Sequence, residues 1–149
     1  MTLELEHVTD RPHVVVENPR RSAGLAQAEA LEAAGYGVTY CPGPSALAGG
    51  MCPAVDGVGC PLVAGADAVL YDLDLDDPHS REVLIRLRHD YPETQIVIEI
   101  PEDIAREKPA ILHGCHVVVP YDMERLVRAV GDALAHPVPH GPTPTPTPA

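Results

Sequence analysis

Short runs rich in apolar and β-branched residues recur along this chain, at residues 14–16, 38–40, 68–71, 96–98 and 117–119. Continuous apolar runs, as opposed to strict alternation, are typical of strands buried on both faces, as in parallel sheets. The first run is followed by Glu17, Asn18 and Pro19, which end a strand. The pattern therefore predicts five short strands in one parallel sheet.

Segments with the 3.6-residue periodicity of amphipathic helices lie between most of these runs. They predict helices at residues 20–34, 78–91, 101–108 and 123–134. The apolar positions expected to face the core are Leu25, Ala28 and Leu31 in the first helix, Val83, Leu84 and Leu87 in the second, and Leu126, Val127, Val130 and Leu134 in the last. Strands that alternate with helices predict an α/β fold, in which helices cover both faces of the sheet.

The chain of 149 residues is long enough for one domain and a tail. We expect an N-terminal arm at residues 1–12, a domain at 13–136, and a disordered tail rich in proline and threonine at 137–149. Within the domain, residues 41–66 are rich in glycine, proline and cysteine and predict a long loop that is either functional or held in place by a ligand.

The chain is strongly acidic, with a formal net charge of −12. Such a charge repels polyanions, so nucleic-acid binding is not expected, whereas a basic protein partner or a cation is favoured. No apolar run reaches the length of a membrane span, and the charged N-terminus lacks the apolar segment of a signal peptide. These features predict a cytoplasmic protein that does not bind membranes and whose cysteines stay reduced.

Two segments resemble bacterial response-regulator receiver domains. The sequence from Asp67 to Asp72 and on to Leu75 is similar to the third strand of that family, which ends in a phosphate-accepting aspartate. The sequence from His113 to Leu126 resembles the family's fifth strand, its Lys-Pro step and its last helix. The resemblance spans about residues 13–135 and implies a flavodoxin-like sheet of order 2-1-3-4-5, with the loop at 41–66 in place of the second helix.

The resemblance also assigns positions to individual residues. Asp72 matches the phosphate-accepting aspartate. The acidic site of the family is represented by Glu17 and Asn18 at the magnesium-binding pair, by Asp74, and by Glu99 in place of a hydroxyl residue. The switch positions are Val119, where the family has a lysine, and His116, near an aromatic residue.

These departures predict that ordinary phosphorelay is lost or very weak. Glu99 would place a negative charge beside a phosphoryl group that itself carries nearly two, and Val119 supplies no compensating cation. The resemblance then implies a non-enzymatic signalling module, a pseudo-receiver that acts through protein contacts and can form a homodimer. Two alternatives stay open: Asp72 accepts a phosphoryl group after all, or the acidic residues are only a solvated rim. Weak Mg²⁺ binding at Asp72 and Glu17 is a further expectation.

Three cysteines in the loop, Cys41, Cys52 and Cys60, are each followed by proline. Proline restrains the preceding residue to an extended conformation, and Cys-Pro steps occur at iron–sulfur ligands and at regulatory haem sites. The pattern predicts a metal, cluster or redox site, with an iron–sulfur cluster, haem or zinc as candidates. The fourth ligand would be Cys115, Asp56, a histidine from a terminus or a residue of a second subunit. The alternative is that these cysteines only pack as small apolar side chains.

Overall fold

The computed structural model describes residues 11–44, 60–107, 110–118 and 122–138. Its five strands form one parallel sheet in the order β2-β1-β3-β4-β5, which confirms the predicted topology. The strands are β1 (His13–Glu17), β2 (Gly37–Cys41), β3 (Ala68–Tyr71), β4 (Gln95–Glu99) and β5 (His116–Val118).

The described residues contain four helices, namely α1 (Arg21–Ala33), α2 (Pro78–Asp90), α3 (Glu102–Glu107) and α4 (Met123–Ala135). The first three each lie between two strands, and α4 follows β5. Aspartate caps fix the starts of two of them. Asp77 accepts a hydrogen bond from the His79 amide at the start of α2, and Asp122 accepts one from the Arg125 amide at the start of α4. None of the described helices is long and apolar enough to cross a membrane.

Aliphatic side chains form a separate core on each face of the sheet. One cluster joins the sheet to α2 and to Val63, and its largest members include Val15, Tyr71, Leu84, Leu87, Ile96 and Ile98. The other joins the sheet to α1 and α4 through Val14, Val16, Leu31, Leu70, Val97, Leu126 and Val130. Helices therefore cover both faces, as the continuous apolar strands predict.

The buried face of α1 differs from the prediction. Leu25 is 42 % exposed, whereas Gly24 and Gln27 are buried together with Ala28 and Leu31. The helix is rotated toward Gly24 because the ring of Tyr40 packs against that residue: a Cβ added there would lie 2.3 Å from Tyr40 Cε1. In α4, Ala133 is buried and Val127 and Leu134 are half-buried, so this face lies close to the predicted one.

Parts of the predicted organisation fall outside the described residues. These parts are most of the N-terminal arm, the loop at 45–59 with Cys52 and Asp56, the switch position Val119, and the tail from 139 onward. The first two residues of the predicted tail are described: Val138 is hydrogen-bonded to Gln95 at the edge of the sheet.

The close packing at Gly24 leads to a prediction about the stability of the fold. Replacement of glycine by alanine normally stabilises a helix by about 1 kcal/mol, but a Cβ at this position would overlap the Tyr40 ring. Gly24→Ala should lower the free energy of unfolding by about 1–3 kcal/mol in urea denaturation, because the core is overpacked. Gly65→Ala is the matched control, since an added Cβ at Gly65 meets no atom within 4 Å. A Gly24→Ala protein as stable as the wild type would contradict this account.

Candidate functional site

The carboxyl ends of β1, β3 and β4 bring polar residues to one edge of the sheet. In the parallel register, Glu17 pairs with Tyr71, and Tyr71 pairs with Ile98. The next residues along, Asn18, Asp72 and Glu99, therefore lie on neighbouring strands at the same height. The amide of Asp72 continues the ladder with a 2.8 Å hydrogen bond to the Glu17 carbonyl.

Two side-chain amides hold the carboxylate of Asp72. Its Oδ2 accepts hydrogen bonds from Asn18 Nδ2 at 3.2 Å and from Gln27 Nε2 at 3.1 Å. The same Asn18 nitrogen lies 3.2 Å from Gln27 Oε1, so the two amides are also bonded to each other. One oxygen of the candidate phosphate acceptor is thus occupied by neutral donors from β1 and α1.

Asn18 is fully buried and its orientation is fixed by further contacts. Its Oδ1 accepts a hydrogen bond from the Arg20 amide at 2.9 Å, and its carbonyl accepts one from the Tyr40 hydroxyl at 2.7 Å. The side-chain nitrogen is therefore the atom that faces Asp72. Asn18 presents a donor where a cation would require an oxygen ligand.

Glu99 lies beside Asp72, close enough for the two carboxyls to affect each other's ionisation. Burial, and after it the charge of Asp72, raise the pKa of Glu99 to about 7, and the nearby Arg20 guanidinium opposes this shift. Burial likewise raises the pKa of Asp72, against the hydrogen bond from Gln27. Ionisation of Asp72 therefore disfavours ionisation of Glu99, and Arg20 is a cation near both carboxyls.

Glu17 lies on the other face of the sheet. It follows Val15 by two residues and so shares the α2 side, between Cys41 on β2 and Tyr71 on β3 in the register. The side chain is 3 % exposed, and its Oε2 has no hydrogen-bond partner in the part of the chain that the structure describes. Burial raises the pKa of Glu17 to about 7.

Weak Mg²⁺ binding at Asp72 and Glu17 stays a prediction, which the geometry of these positions does not favour. Glu17 and Asp72 belong to opposite faces of the sheet, and Asn18 offers Asp72 a donor. Across the described ranges, no three or more histidine, cysteine, aspartate or glutamate side chains are grouped so that they could hold a metal ion.

Arg20, Asp72 and Glu99 separate two cavities at this edge. A cavity of about 260 Å³ extends toward Asp74 and Ile104, and one of about 290 Å³ extends between α1 and α4 toward Met123. All three separating residues line both cavities. The Asp72–Glu99 pair is therefore accessible from two sides.

Two other residues predicted for the site lie in different places: Asp74 lines a cavity together with Asp72, whereas His116 lies at the opposite end of the sheet. Asp74 is exposed, and its Oδ1 accepts a hydrogen bond from the Asp76 amide in the turn after β3. His116 is hydrogen-bonded at 2.9 Å to Gln95, which begins β4 at the opposite end of the sheet from Glu99. Its role as a switch residue stays a prediction.

Gln27 and Arg20 are site residues that the sequence did not reveal. Gln27 lies one position before Ala28 and four before Leu31, within the apolar stripe of α1, and a polar residue in such a stripe is the one signal available. Arg20 occupies the position before the helix and has no distinguishing sequence pattern.

The described cysteines pack against the core. Cys41 and Cys60 are half-buried beside the cluster on the α2 side, and the backbone of Cys60 is bonded in both directions to the Tyr91 hydroxyl. Cys115 precedes β5, at the sheet edge opposite to Cys41, and burial raises the pKa of its thiol to about 11. Cys52 lies outside the described residues, and a metal or redox site stays a prediction.

The buried carboxyl of Glu17 makes the stability of the fold depend on pH. Its pKa is about 7 in the folded chain against an ordinary 4.5, so the folded state holds the proton more tightly. The contribution of the protonated Glu17 side chain to the free energy of unfolding is fully present below pH 4.5. It is lost as the pH rises to 7, and it amounts to about 3 kcal/mol. Glu17→Gln should therefore reduce the loss of stability between pH 5 and pH 8, measured by urea denaturation at both values.

Exposed Glu29 provides the control for this comparison, because Glu29→Gln makes the same chemical change in solvent. The control should keep the pH dependence of the wild type. If Glu17→Gln kept it as well, the carboxyl of Glu17 would not be the buried titrating group.

No protein-family model matches this sequence, and a search of curated proteins finds no match. Solved structures are similar in fold. A receiver domain protein from Methanospirillum hungatei has a TM-score of 0.61 at 12 % identity, over 85 % of this chain and 95 % of its own. A Francisella receiver domain has a TM-score of 0.63 at 16 % identity, over 84 % and 98 %.

A third similar structure is the response regulator TrrA from Thermotoga maritima in complex with Mg²⁺ and BeF. It has a TM-score of 0.62 at 14 % identity and covers 81 % of this chain and 97 % of its own. These similarities in fold agree with the sheet order and with the helices on both faces of the sheet. The chain has the fold of response-regulator receiver domains.

Proposed function

We propose that this chain is a signalling module of the receiver type that acts through protein contacts, without phosphorylation of Asp72 and without enzymatic activity of its own. The observation that carries the proposal is the set of hydrogen bonds around Asp72. Amides of Asn18 and Gln27 and the carboxyl of Glu99 occupy the position at which a receiver would bind a cation and a phosphoryl group.

Phosphoryl transfer to Asp72 would have to displace these partners. Oδ2 would lose two amide donors, and the product would carry close to two negative charges. Glu99 in its ionised form would add a third close by, whereas Arg20 is the neighbouring cation. Like charges in such proximity cost several kcal/mol, on the order of 4 at an effective dielectric constant of 20. The contacts favour an unphosphorylated Asp72.

The exposed acidic side chains around this edge indicate the kind of partner. Asp74, Asp76, Glu102 and Asp103 all face solvent near the Asp72–Glu99 pair. A protein with a basic docking surface is complementary to this rim, and such pairing increases the association rate at low ionic strength.

Homodimer formation through the last strand and helix is a separate proposal. It is favoured by the exposed side chains of Val117 and Met123, and light scattering would test it.

Phosphorylation is tested directly with a small-molecule phosphoryl donor and Mg²⁺. The wild-type protein should remain unmodified by mass spectrometry, because Asp72 is engaged and Glu99 repels the product. A triple variant, Asn18→Asp, Glu99→Thr and Val119→Lys, restores the residue types of the family and should gain one phosphoryl group. Adding Asp72→Asn to the triple variant should remove that group.

Modification of the wild type that disappears in Asp72→Asn would contradict the proposal. It would favour the alternative function, in which the chain is a phosphorelay receiver that accepts a phosphoryl group on Asp72.

Sensing by Cys41, Cys52 and Cys60 is a second hypothesis. It is favoured by the position of Cys41 and Cys60, which flank residues 45–59 and contact the same core cluster. The protein should be purified without oxygen and its absorbance and metal content measured. Stoichiometric iron, haem or zinc that is lost in Cys52→Ser would support a ligand site. Colourless, metal-free protein would leave packing or thiol oxidation as the role of these cysteines.

A further inference from the structure

Gln95 makes an unusual set of hydrogen bonds at the amino-terminal edge of the sheet. It begins β4 and is 3 % exposed. Its Oε1 accepts a hydrogen bond from the Val138 amide at 2.8 Å and lies 2.9 Å from His116 Nε2. Its Nε2 donates to the carbonyls of Glu93 at 3.2 Å and Val138 at 3.4 Å. Both donors and both acceptor positions of the amide are therefore used.

The contacts with Val138 reproduce the pairing of one strand with another. One side-chain amide accepts from the N–H and donates to the C=O of the same residue, as a neighbouring strand would do. Such contacts recognise an extended main chain and do not depend on the Val138 side chain, which is 41 % exposed. His116 and the Glu93 carbonyl fix the Gln95 amide in the orientation that these contacts require.

The surroundings indicate a site for an extended segment. Two cavities of about 360 Å³ share Glu93, Gln95 and Pro137 as lining residues, so Pro137 lies between them. One of them continues past Asp67 and Thr94 toward Leu134. Helix α4 ends at Ala135, and the chain then crosses this depression to reach Gln95.

We infer that the amino-terminal edge of the sheet holds a main-chain binding site, built on Gln95 and oriented by His116, whose ligand is the extended segment 137–138 of this same chain. The site acts as an anchor that fixes the chain just after the end of α4. Gln95 and Glu99 lie at opposite ends of β4, about 13 Å apart at the usual rise of a strand. The anchor therefore holds Val138 at the end of the sheet opposite to the Asp72 edge.

Amide hydrogen exchange measured by NMR tests this inference. In the wild type the Val138 amide should exchange about tenfold more slowly than in a free peptide, as expected for one retained hydrogen bond. In Gln95→Leu it should exchange at the free-peptide rate, while amides of the central strand β3 stay protected. Glu93→Gln is the control, because it leaves the Glu93 carbonyl and all contacts of Gln95 in place.

A variant that ends at His136 allows a second test, which is independent of whether the Gln95→Leu protein folds. Removal of the ligand should shift the NMR signals of the Gln95 side-chain amide and the His116 ring, with β3 still protected. The inference is overturned if Val138 exchanges at the free-peptide rate in the wild type, if it stays protected in Gln95→Leu, or if truncation leaves both signals unchanged.

Discussion

Parallel pairing of β1, β3 and β4 is the constraint on which the rest of the structure depends. Since all strands run in the same direction, their carboxyl ends meet at one edge, and the pairing of Tyr71 with Glu17 and Ile98 brings Asp72 between Asn18 and Glu99. The same pairing buries β3 completely, so each face needs its own layer of helices. Valine, leucine and isoleucine fill both layers in a chain without phenylalanine or tryptophan.

Much of this architecture could be predicted from the sequence because it rests on apolar periodicity. Continuous aliphatic runs specify buried parallel strands, and the resemblance of the segment around Asp72 to receivers implied the strand order. The rotation of α1 could not be predicted, since it results from the packing of Tyr40 against Gly24, sixteen positions earlier in the chain. Periodicity reports which residues are apolar, but it does not report which small residue allows a close approach.

The chemistry around Asp72 was predictable only in part. The sequence shows that Glu99 and Asn18 replace the residue types of the family, and their proximity to Asp72 follows from the fold. It does not show that Asn18 directs its nitrogen toward Asp72, because that orientation depends on the Arg20 amide. Gln27 was missed for a similar reason: glutamine in a helix usually faces solvent, and here its burial is offset by hydrogen bonds to Asp72 and Asn18.

The segment that contains Cys52 is attached firmly at both of its ends. On one side, Gly43 has a φ of +90° and lies so close to Leu73 that a side chain would not fit. On the other, the Tyr91 hydroxyl both accepts from and donates to the backbone of Cys60. The entropic cost of closing a chain between two fixed points rises by only about 0.6 kcal/mol for each doubling of its length. A change in the number of residues between these two points should therefore cost the sheet little, provided that Gly43 and Tyr91 are kept.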